Sequence, residues 1–314
     1  MRDEIDLESL IPSQDKYYIF DENLVSIIDK SINYNLKLMI YGPHGSGKST
    51  HIEQICAIKK LPCIRINFDN NILRSDLVGK DTIYTKDNKQ VIVFKEGILP
   101  FAMKHGIVLI LDEYDSARPE TLFVLQKVLE RNGKLFLFEE NKEVKPHKNF
   151  RIFATANTIG LGDESGYYSG TQMINQSNLD RWDIIAKSNY LTKDKEIEFI
   201  TKYFFTDYTD NNQNINYYGF NINTITKHFD EKSISTMPRK IVSLANLIRN
   251  SFANSDLSVT FSTINLISFC SNLFLFLDYQ QAFELSYLNR LNDKIEIDQA
   301  NQLFQNCFDL TTKS

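Results

Sequence analysis

The 314 residues are enough for one large domain or two smaller ones with a substantial core. A content of 42% hydrophobic and 24% charged residues is typical of a water-soluble globular protein. The net charge of −5 argues against non-specific binding to nucleic acid or to acidic membranes, because both carry negative charge themselves.

Targeting and membrane signals are not apparent in the sequence. Residues 1–6 are acidic and contain no apolar signal region. The most apolar later stretch, residues 264–277, is interrupted by polar residues and too short to span a bilayer, so it predicts a buried helix. The four cysteines lack the spacing of metal ligands and are expected to be reduced thiols. We therefore expect a cytoplasmic protein that binds neither membrane nor nucleic acid.

The first chemical motif lies between an apolar strand pattern at residues 36–41 and a helical pattern at residues 50–56. The sequence Gly42-Pro-His-Gly-Ser-Gly-Lys-Ser49 has the spacing of a phosphate-binding loop. In such loops backbone N–H groups surround the phosphates, the lysine reaches the β- and γ-phosphates, and the serine hydroxyl binds Mg²⁺. The flanking strand and helix disfavour a chance glycine turn. We predict a nucleoside triphosphate site formed by Gly42, Pro43, His44, Gly45, Ser46, Gly47, Lys48, Ser49 and Thr50.

Strand and helix patterns alternate on both sides of this loop. A helix is expected over residues 22–32, before the loop. Residues 63–68 predict a second buried strand. Two β-rich runs, residues 81–85 and 90–94, flank a polar turn and predict a hairpin. Residues 97–104 then return to a helical pattern.

Two adjacent carboxylates follow the apolar strand pattern of residues 107–111. Parallel α/β sheets bind ligands at the carboxyl ends of their strands, which is where Asp112 and Glu113 would lie. We expect Asp112 to hold Mg²⁺, directly or through water, and Glu113 to polarise the attacking water. The alternative is a strand that ends in two solvated acids.

A further candidate ends the next strand. Residues 119–129 predict a helix that starts with proline, and residues 134–145 predict a second hairpin. The strand pattern of residues 151–156 ends in Asn157, whose amide could orient the attacking water; the alternative is an ordinary turn residue. A glycine-rich loop follows, and residues 184–190 predict the last strand.

The composition changes near residue 191, after which the patterns are helical. We therefore predict an α/β nucleotide-binding domain over residues 1–190 and a helical domain over residues 191–314. The five strand patterns of the first part predict a parallel five-stranded sheet with two inserted hairpins.

The order of these motifs resembles that of AAA+ ATPases, and the two hairpins resemble those of the MoxR-type branch. Longer stretches are similar to the ATPase subunits of aerobic cobaltochelatases, the CobS family. Those stretches are residues 45–54, 76–80, 96–100, 112–115, 153–157, 160–162, 170–172 and 179–182. The resemblance implies that the helical domain is a small lid on the nucleotide-binding domain.

The resemblance also assigns two arginines. It implies a ring, expected to be a hexamer, with ATP at each subunit boundary and Arg181 as the arginine finger that reaches the neighbour's γ-phosphate. The alternative for Arg181 is a surface ion pair with Asp180 or Asp183. Arg239 matches a lid arginine that contacts the nucleotide, although Met237 replaces the serine of the family. Pro238 would then lie in the first turn of a helix. The alternative for Arg239 is a solvated arginine at a helix end.

For function, the resemblance implies a Mg²⁺- and ATP-dependent motor subunit in cobalamin biosynthesis. Its partners would be a von Willebrand A-type adaptor and a large chelatase subunit that inserts Co²⁺ into a corrin ring. The scattered histidines do not suggest a cobalt site in this chain. Two alternatives stay open, namely a MoxR-like remodelling ATPase that acts on another complex and an ATP-binding ring scaffold with weak hydrolysis.

Overall fold

In the described residues, strands and helices alternate up to about residue 190, and the elements that follow are helices. The computed structural model describes residues 6–68, 72–86, 89–159, 174–207 and 214–308. The chain divides into two units, which we call the α/β unit and the helical unit. The α/β unit contains residues 1–15, 20–43 and 47–189, and the helical unit contains residues 16–19, 44–46 and 190–314.

The strands belong to one large sheet and two hairpins. They are β1 Leu38–Tyr41, β2 Cys63–Asn67, β3 Gly79–Lys86, β4 Lys89–Glu96, β5 Val108–Asp112, β6 Leu135–Leu137, β7 Lys142–Val144, β8 Arg151–Ala156 and β9 Ile184–Lys187. The large sheet has the order β2-β5-β8-β1-β9 with every neighbouring pair parallel, whereas β3-β4 and β6-β7 are antiparallel hairpins. The predicted parallel sheet with two inserted hairpins is confirmed.

Helices connect these strands and form the helical unit. They are α1 Glu22–Tyr34, α2 Lys48–Lys59, α3 Arg74–Val78, α4 Ile98–His105, α5 Pro119–Leu129, α6 Gln176–Leu179, α7 Lys193–Phe204, α8 Ile222–His228, α9 Glu231–Ala253, α10 Thr263–Phe276, α11 Tyr279–Ser286 and α12 Lys294–Phe308. The core of the helical unit is rich in phenylalanine, and Phe283 and Phe304 stack with their ring centroids 4.8 Å apart.

The strands of the sheet differ in burial in a way that explains their sequences. All five residues of β5 are buried because strands pair with it on both sides, which accounts for its uninterrupted apolar run. The prediction that residues 63–68 form a buried strand is wrong for most of β2. This strand lies at the sheet edge beside β5 alone, and its side chains are half-buried or exposed.

The prediction that Pro238 lies in the first turn of a helix is also wrong. The helix α9 begins at Glu231, where the carboxylate of Asp230 accepts the backbone N–H of Ser233, so Pro238 lies inside it. Proline removes a backbone donor from a helix. The Thr236 hydroxyl lies within hydrogen-bond distance of the carbonyl oxygens of Lys232 and Ser233 in the preceding turn.

The predicted helix near residues 264–277 corresponds to α10, which is buried on one face. Ile264 and Leu275 are exposed, so the prediction of a buried helix is correct for only part of its surface. Among the described residues, no helix combines the length and the hydropathy that a membrane-spanning segment needs. The four cysteines are free thiols, and Cys56 and Cys270 are buried.

A buried ion pair joins two helices of the helical unit. The guanidinium of Arg249 on α9 donates to both carboxylate oxygens of Glu196 on α7 at 2.8 Å, and their side chains are only 9% and 1% exposed. Arg249 also donates to the carbonyl of Phe261 and lies 3.9 Å from the ring centroid of Tyr190. Each charge therefore depends on the other for its solvation.

Replacing Arg249 by Met should lower the free energy of unfolding of the helical unit by about 3–5 kcal/mol, because Glu196 would stay buried without its counter-charge. Urea unfolding of the full chain measures this change. The control is Lys202→Met, which breaks an exposed pair with Glu198 on the same helix and should cost less than about 1 kcal/mol. Equal losses in the two variants would contradict the assignment.

Candidate nucleotide-binding site

The phosphate loop connects β1 to α2 and requires glycine at both ends. At Gly42 a Cβ atom would lie 2.2 Å from the carbonyl oxygen of Ser188, so no side chain fits. Gly47 is left-handed, with φ of 80°, and precedes the first residue of α2. No side chain of the described residues caps this helix. Its first N–H groups are therefore available to an anion, and the helix dipole favours negative charge there.

Lys48 is folded back onto the loop. Its ammonium group donates to the carbonyl oxygens of Gly42 and Pro43 at 2.9 and 3.0 Å and to Oδ1 of Asn157 at 3.1 Å. Two residues that the sequence predicts for one site, Lys48 and Asn157, thus contact each other. Of the other loop residues, Ser46 and Ser49 are buried and His44 is exposed.

Burial lowers the pKa of Lys48 to about 8. The carboxylates of Asp112, Asp115 and Glu113 act in the opposite direction, with Asp112 contributing most. Because the pKa stays near 8, most of the Lys48 population is protonated at neutral pH and can meet a phosphate.

Asp112 is the most heavily bonded carboxylate of the site. Its Oδ1 accepts hydrogen bonds from the hydroxyls of Ser49, at 2.6 Å, and Thr155, and its Oδ2 accepts two from the guanidinium of Arg65. Burial raises the pKa of Asp112, but the two hydroxyls and Arg65 outweigh this effect and hold the pKa below its ordinary value. Asp112 is therefore ionised at neutral pH.

The pair of Ser49 and Asp112 fits a magnesium ion. A hydroxyl and an ionised carboxylate oxygen lie 2.6 Å apart, and hard oxygen donors are what Mg²⁺ prefers. No group of three or more His, Cys, Asp or Glu side chains in the described ranges is arranged to hold a metal. A Mg²⁺ ion held by Ser49 and Asp112 would take its remaining ligands from phosphate and water.

Glu113 lies directly after β5 and is half-buried. Its backbone is left-handed, with φ of 56°, which is uncommon for a residue other than glycine, asparagine or aspartate. The chain then forms a short 3-10 turn over Tyr114–Ser116. The sharp change of direction at Glu113 puts this acid at the sheet edge that carries Asp112 and Asn157.

Arg181 forms no hydrogen bond or ion pair with Lys48, Asp112 or Glu113. It donates to the backbone carbonyl of Ser177, and its neighbour Trp182 packs edge-on against Tyr114 with 5.3 Å between ring centroids. The alternative of an ion pair with its neighbouring acids is wrong. Asp183 pairs with Lys37, and Asp180 accepts a hydrogen bond from Gln176.

Arg239 is exposed on α9, and its contact with a nucleotide stays a prediction. The glycine-rich loop that begins at Gly160, together with the stretches at 160–162 and 170–172, lies outside the described residues.

Sequence reasoning missed three residues of the site: Arg65, Thr155 and Asp115. Arg65 and Thr155 bond Asp112, while Asp115 accepts hydrogen bonds from Asn157 and Thr158. An arginine and a threonine inside strand patterns could have been noticed as polar interruptions of β2 and β8, the two strands that flank β5. Asp115 looks like an ordinary turn residue in the sequence.

Comparisons with known proteins show which family the chain belongs to. The model of the AAA domain family, dynein-related subfamily, matches residues 37–171. The chain is 39% identical over 306 residues to the aerobic cobaltochelatase subunit CobS of a Sinorhizobium species, which covers 98% of this chain and 85% of that protein. The chain belongs to the CobS family of AAA ATPases. It is therefore an ATP-using enzyme, as the sequence predicts.

Two further relatives are more distant. Midasin of Dictyostelium discoideum is 31% identical over 160 residues, which are 51% of this chain but 3% of midasin. An uncharacterised protein of Staphylococcus saprophyticus is 25% identical over 277 residues, which are 88% of this chain and 92% of that protein. The identity to CobS is thus higher, and its aligned region longer, than for either of these two proteins.

The affinity of this CobS-family chain for ATP should fall as the pH rises above about 8, because Lys48 must then take up a proton to meet the triphosphate. The fall should approach tenfold per pH unit well above that pKa. Calorimetric titrations between pH 7 and 9.5, in two buffers of different ionisation enthalpy, measure both the affinity and the proton uptake.

The control is Lys48→Arg, whose guanidinium stays charged throughout this range, so its affinity should not change with pH. Absence of proton uptake by the unmodified chain between pH 8 and 9 would contradict the lowered pKa.

Proposed function

We propose that this chain is the ATP-hydrolysing motor subunit of a cobaltochelatase-type complex. The observation that carries the proposal is the hydrogen-bonded group formed by Lys48 and Asn157 beside Ser49 and Asp112, at the carboxyl edge of the sheet. These are the residue types that phosphoryl transfer from ATP needs. The identity of 39% to a CobS protein along nearly the whole chain supports the assignment to a chelatase.

In the proposed mechanism, the chain first binds the phosphates of ATP. The open N–H groups at the start of α2 and the ammonium of Lys48 meet the negative charge. Lys48 exchanges the carbonyl oxygens of Gly42 and Pro43 for phosphate oxygens, which are stronger acceptors because they are charged. Ser49 and Asp112 would hold Mg²⁺, which when bound neutralises charge on the phosphates.

Two polar side chains prepare the attack. Glu113 follows Asp112 directly and is the candidate that polarises the attacking water. Asn157 loses its contact with Lys48 when the lysine turns to the phosphates, and its amide is then free to orient that water. Both groups are held at strand ends rather than on long loops, which favours an accurate geometry.

The remaining positive charge would come from a neighbouring subunit. Arg181 contacts neither Lys48 nor Asp112 nor Glu113 in its own chain, and neither neighbouring acid takes it as an ion-pair partner. A guanidinium that forms no ion pair with the described residues suits the role of an arginine finger in a ring, which we propose to be a hexamer. Arg239 would report on the nucleotide from the helical unit.

The client would be bound by other subunits. Among the described residues, nothing resembles a site for cobalt, since no cluster of metal-ligating side chains is present. We propose that a large chelatase subunit inserts Co²⁺ into the corrin ring and that a von Willebrand A-type adaptor connects it to the ring of this chain. The β3-β4 and β6-β7 hairpins are consistent with membership of the MoxR-like branch. We propose that the protein is located in the cytoplasm.

Glu113→Gln should lower the ATP turnover number by about 10²–10⁴-fold, because the water loses its base. Arg181→Ala should lower it by about 10³-fold or more, because charge on the transferring phosphoryl group is left unbalanced. A coupled assay of ATP hydrolysis measures both. The control is Arg131→Ala, at an exposed arginine of the same unit, which should retain wild-type turnover.

An equal mixture of the two inactive variants should recover activity. About a quarter of the boundaries in a randomly mixed ring would combine an intact Glu113 with an intact neighbouring Arg181. No recovery from subunits shown to exchange would contradict a shared site. A wild-type ring that binds ATP without hydrolysing it would favour the scaffold alternative.

The client assignment is tested separately. With ATP and both partner subunits, the wild-type chain should support Co²⁺ insertion into a metal-free corrin, whereas the Glu113→Gln variant should not. The absorbance spectrum of the corrin measures the insertion. Normal ATP turnover without any cobalt insertion in this complete mixture would favour a remodelling ATPase with another client.

A further inference from the structure

Asp115 is a fully buried acid that the proposed mechanism does not use. Its side chain is 0% exposed, and its Oδ2 accepts three hydrogen bonds. The donors are the backbone N–H groups of Asn157 and Thr158, at 3.0 and 2.8 Å, and the Thr158 hydroxyl, at 3.0 Å. Its Oδ1 is buried and has no hydrogen-bond partner among the described residues.

This arrangement fixes the backbone at one particular place. The strand β8 ends at Ala156, and the two N–H groups that Asp115 binds are the first two after that end. Hydrogen bonds to a charged acceptor are stronger than those between neutral groups, and a buried carboxylate strongly resists losing them. Asp115 therefore determines the path of the chain at Asn157.

Asp115 is itself held rigidly with respect to Glu113. Only Tyr114 separates the two acids, and the backbone N–H of Ser116 donates to the carbonyl of Glu113 at 2.8 Å. The Tyr114 side chain is 1% exposed and packs against Trp182 and Phe68. The turn after β5 is thus anchored in the core, and it carries Glu113 at one end and Asp115 within it.

We propose that Asp115 is a positioning residue that sets the Asn157 amide relative to the Glu113 carboxylate, so that both groups can hold the same attacking water. This inference rests on the proposed function of Asn157 and Glu113. It assigns to Asp115 a role in the rate of hydrolysis, because Asp115 hydrogen-bonds the backbone of Asn157 and none of the phosphate-loop residues. The charge of Asp115 also helps to keep Lys48 protonated, so ATP binding is compared at a pH at which Lys48 is charged without it.

The test compares variants by their turnover number and by their ATP affinity. Asp115→Ala removes the anchor and should lower the turnover number by about 10²-fold, the size of effect that a misplacement of about 1 Å produces. Its dissociation constant for ATP, measured below pH 7 so that Lys48 stays protonated without the Asp115 charge, should stay within about threefold of wild type, which also shows that the protein is folded. Asp115→Asn keeps an oxygen acceptor and should recover most of the lost turnover.

A double-variant cycle identifies the partner through which Asp115 acts. If Asp115 works by positioning Asn157, then Asp115→Ala should cause little further loss in an Asn157→Ala background. The matched control is Asp81→Ala, the same change at an exposed aspartate on β3, which should leave both measured quantities unchanged.

Four outcomes overturn the inference. If the fold-loss of turnover in the double variant equals the product of the fold-losses in the two single variants, Asp115 acts independently of Asn157. Loss of ATP affinity together with turnover would show a general structural role. If Asn157→Ala is slow but Asp115→Ala is as fast as wild type, only the inference on Asp115 fails; if Asn157→Ala itself is as fast as wild type, the proposed role of Asn157 fails with it.

Discussion

The site is built around the buried carboxylate of Asp112. Its two oxygens bind Ser49 on α2, Thr155 on β8 and Arg65 on β2, so one side chain connects three elements of the α/β unit. A buried negative charge is tolerated only with such partners, and removing one would leave the others unbalanced. The hydrogen bonds that solvate Asp112 thus hold α2, which carries Lys48 and Ser49, against the ends of β5 and β8. Glu113 and Asn157 directly follow these two strands.

The charged groups of the site favour the binding of a triphosphate. Lys48 has a lowered pKa because of burial, and the carboxylates around it partly offset that effect. Its present acceptors are neutral oxygens of Gly42, Pro43 and Asn157, which a triphosphate can replace with charged ones. Binding of ATP would therefore release Asn157 as well as neutralise Lys48, and the backbone of Asn157 would meanwhile stay anchored by Asp115.

Much of the α/β unit could be predicted from the sequence, because apolar runs bounded by glycine or acids define its strands and the phosphate loop has a fixed spacing. The role of Asp115 could not be predicted, since its partners are backbone groups 42 and 43 residues away. The half-exposed edge position of β2 follows from strand order, which local patterns do not contain. The start of α9 was predicted wrongly from Pro238, because proline favours the first turn of helices. The residue that caps this helix, Asp230, lies eight residues earlier.

The central claim is that each active site is completed by Arg181 of a neighbouring subunit. The most direct measurement is the specific ATPase activity of the wild-type chain over a wide range of protein concentrations, with the assembly state followed in parallel by sedimentation velocity. We predict that the activity per subunit rises with assembly and levels off when the ring is complete. Constant activity per subunit down to concentrations at which the chain is monomeric would contradict the account.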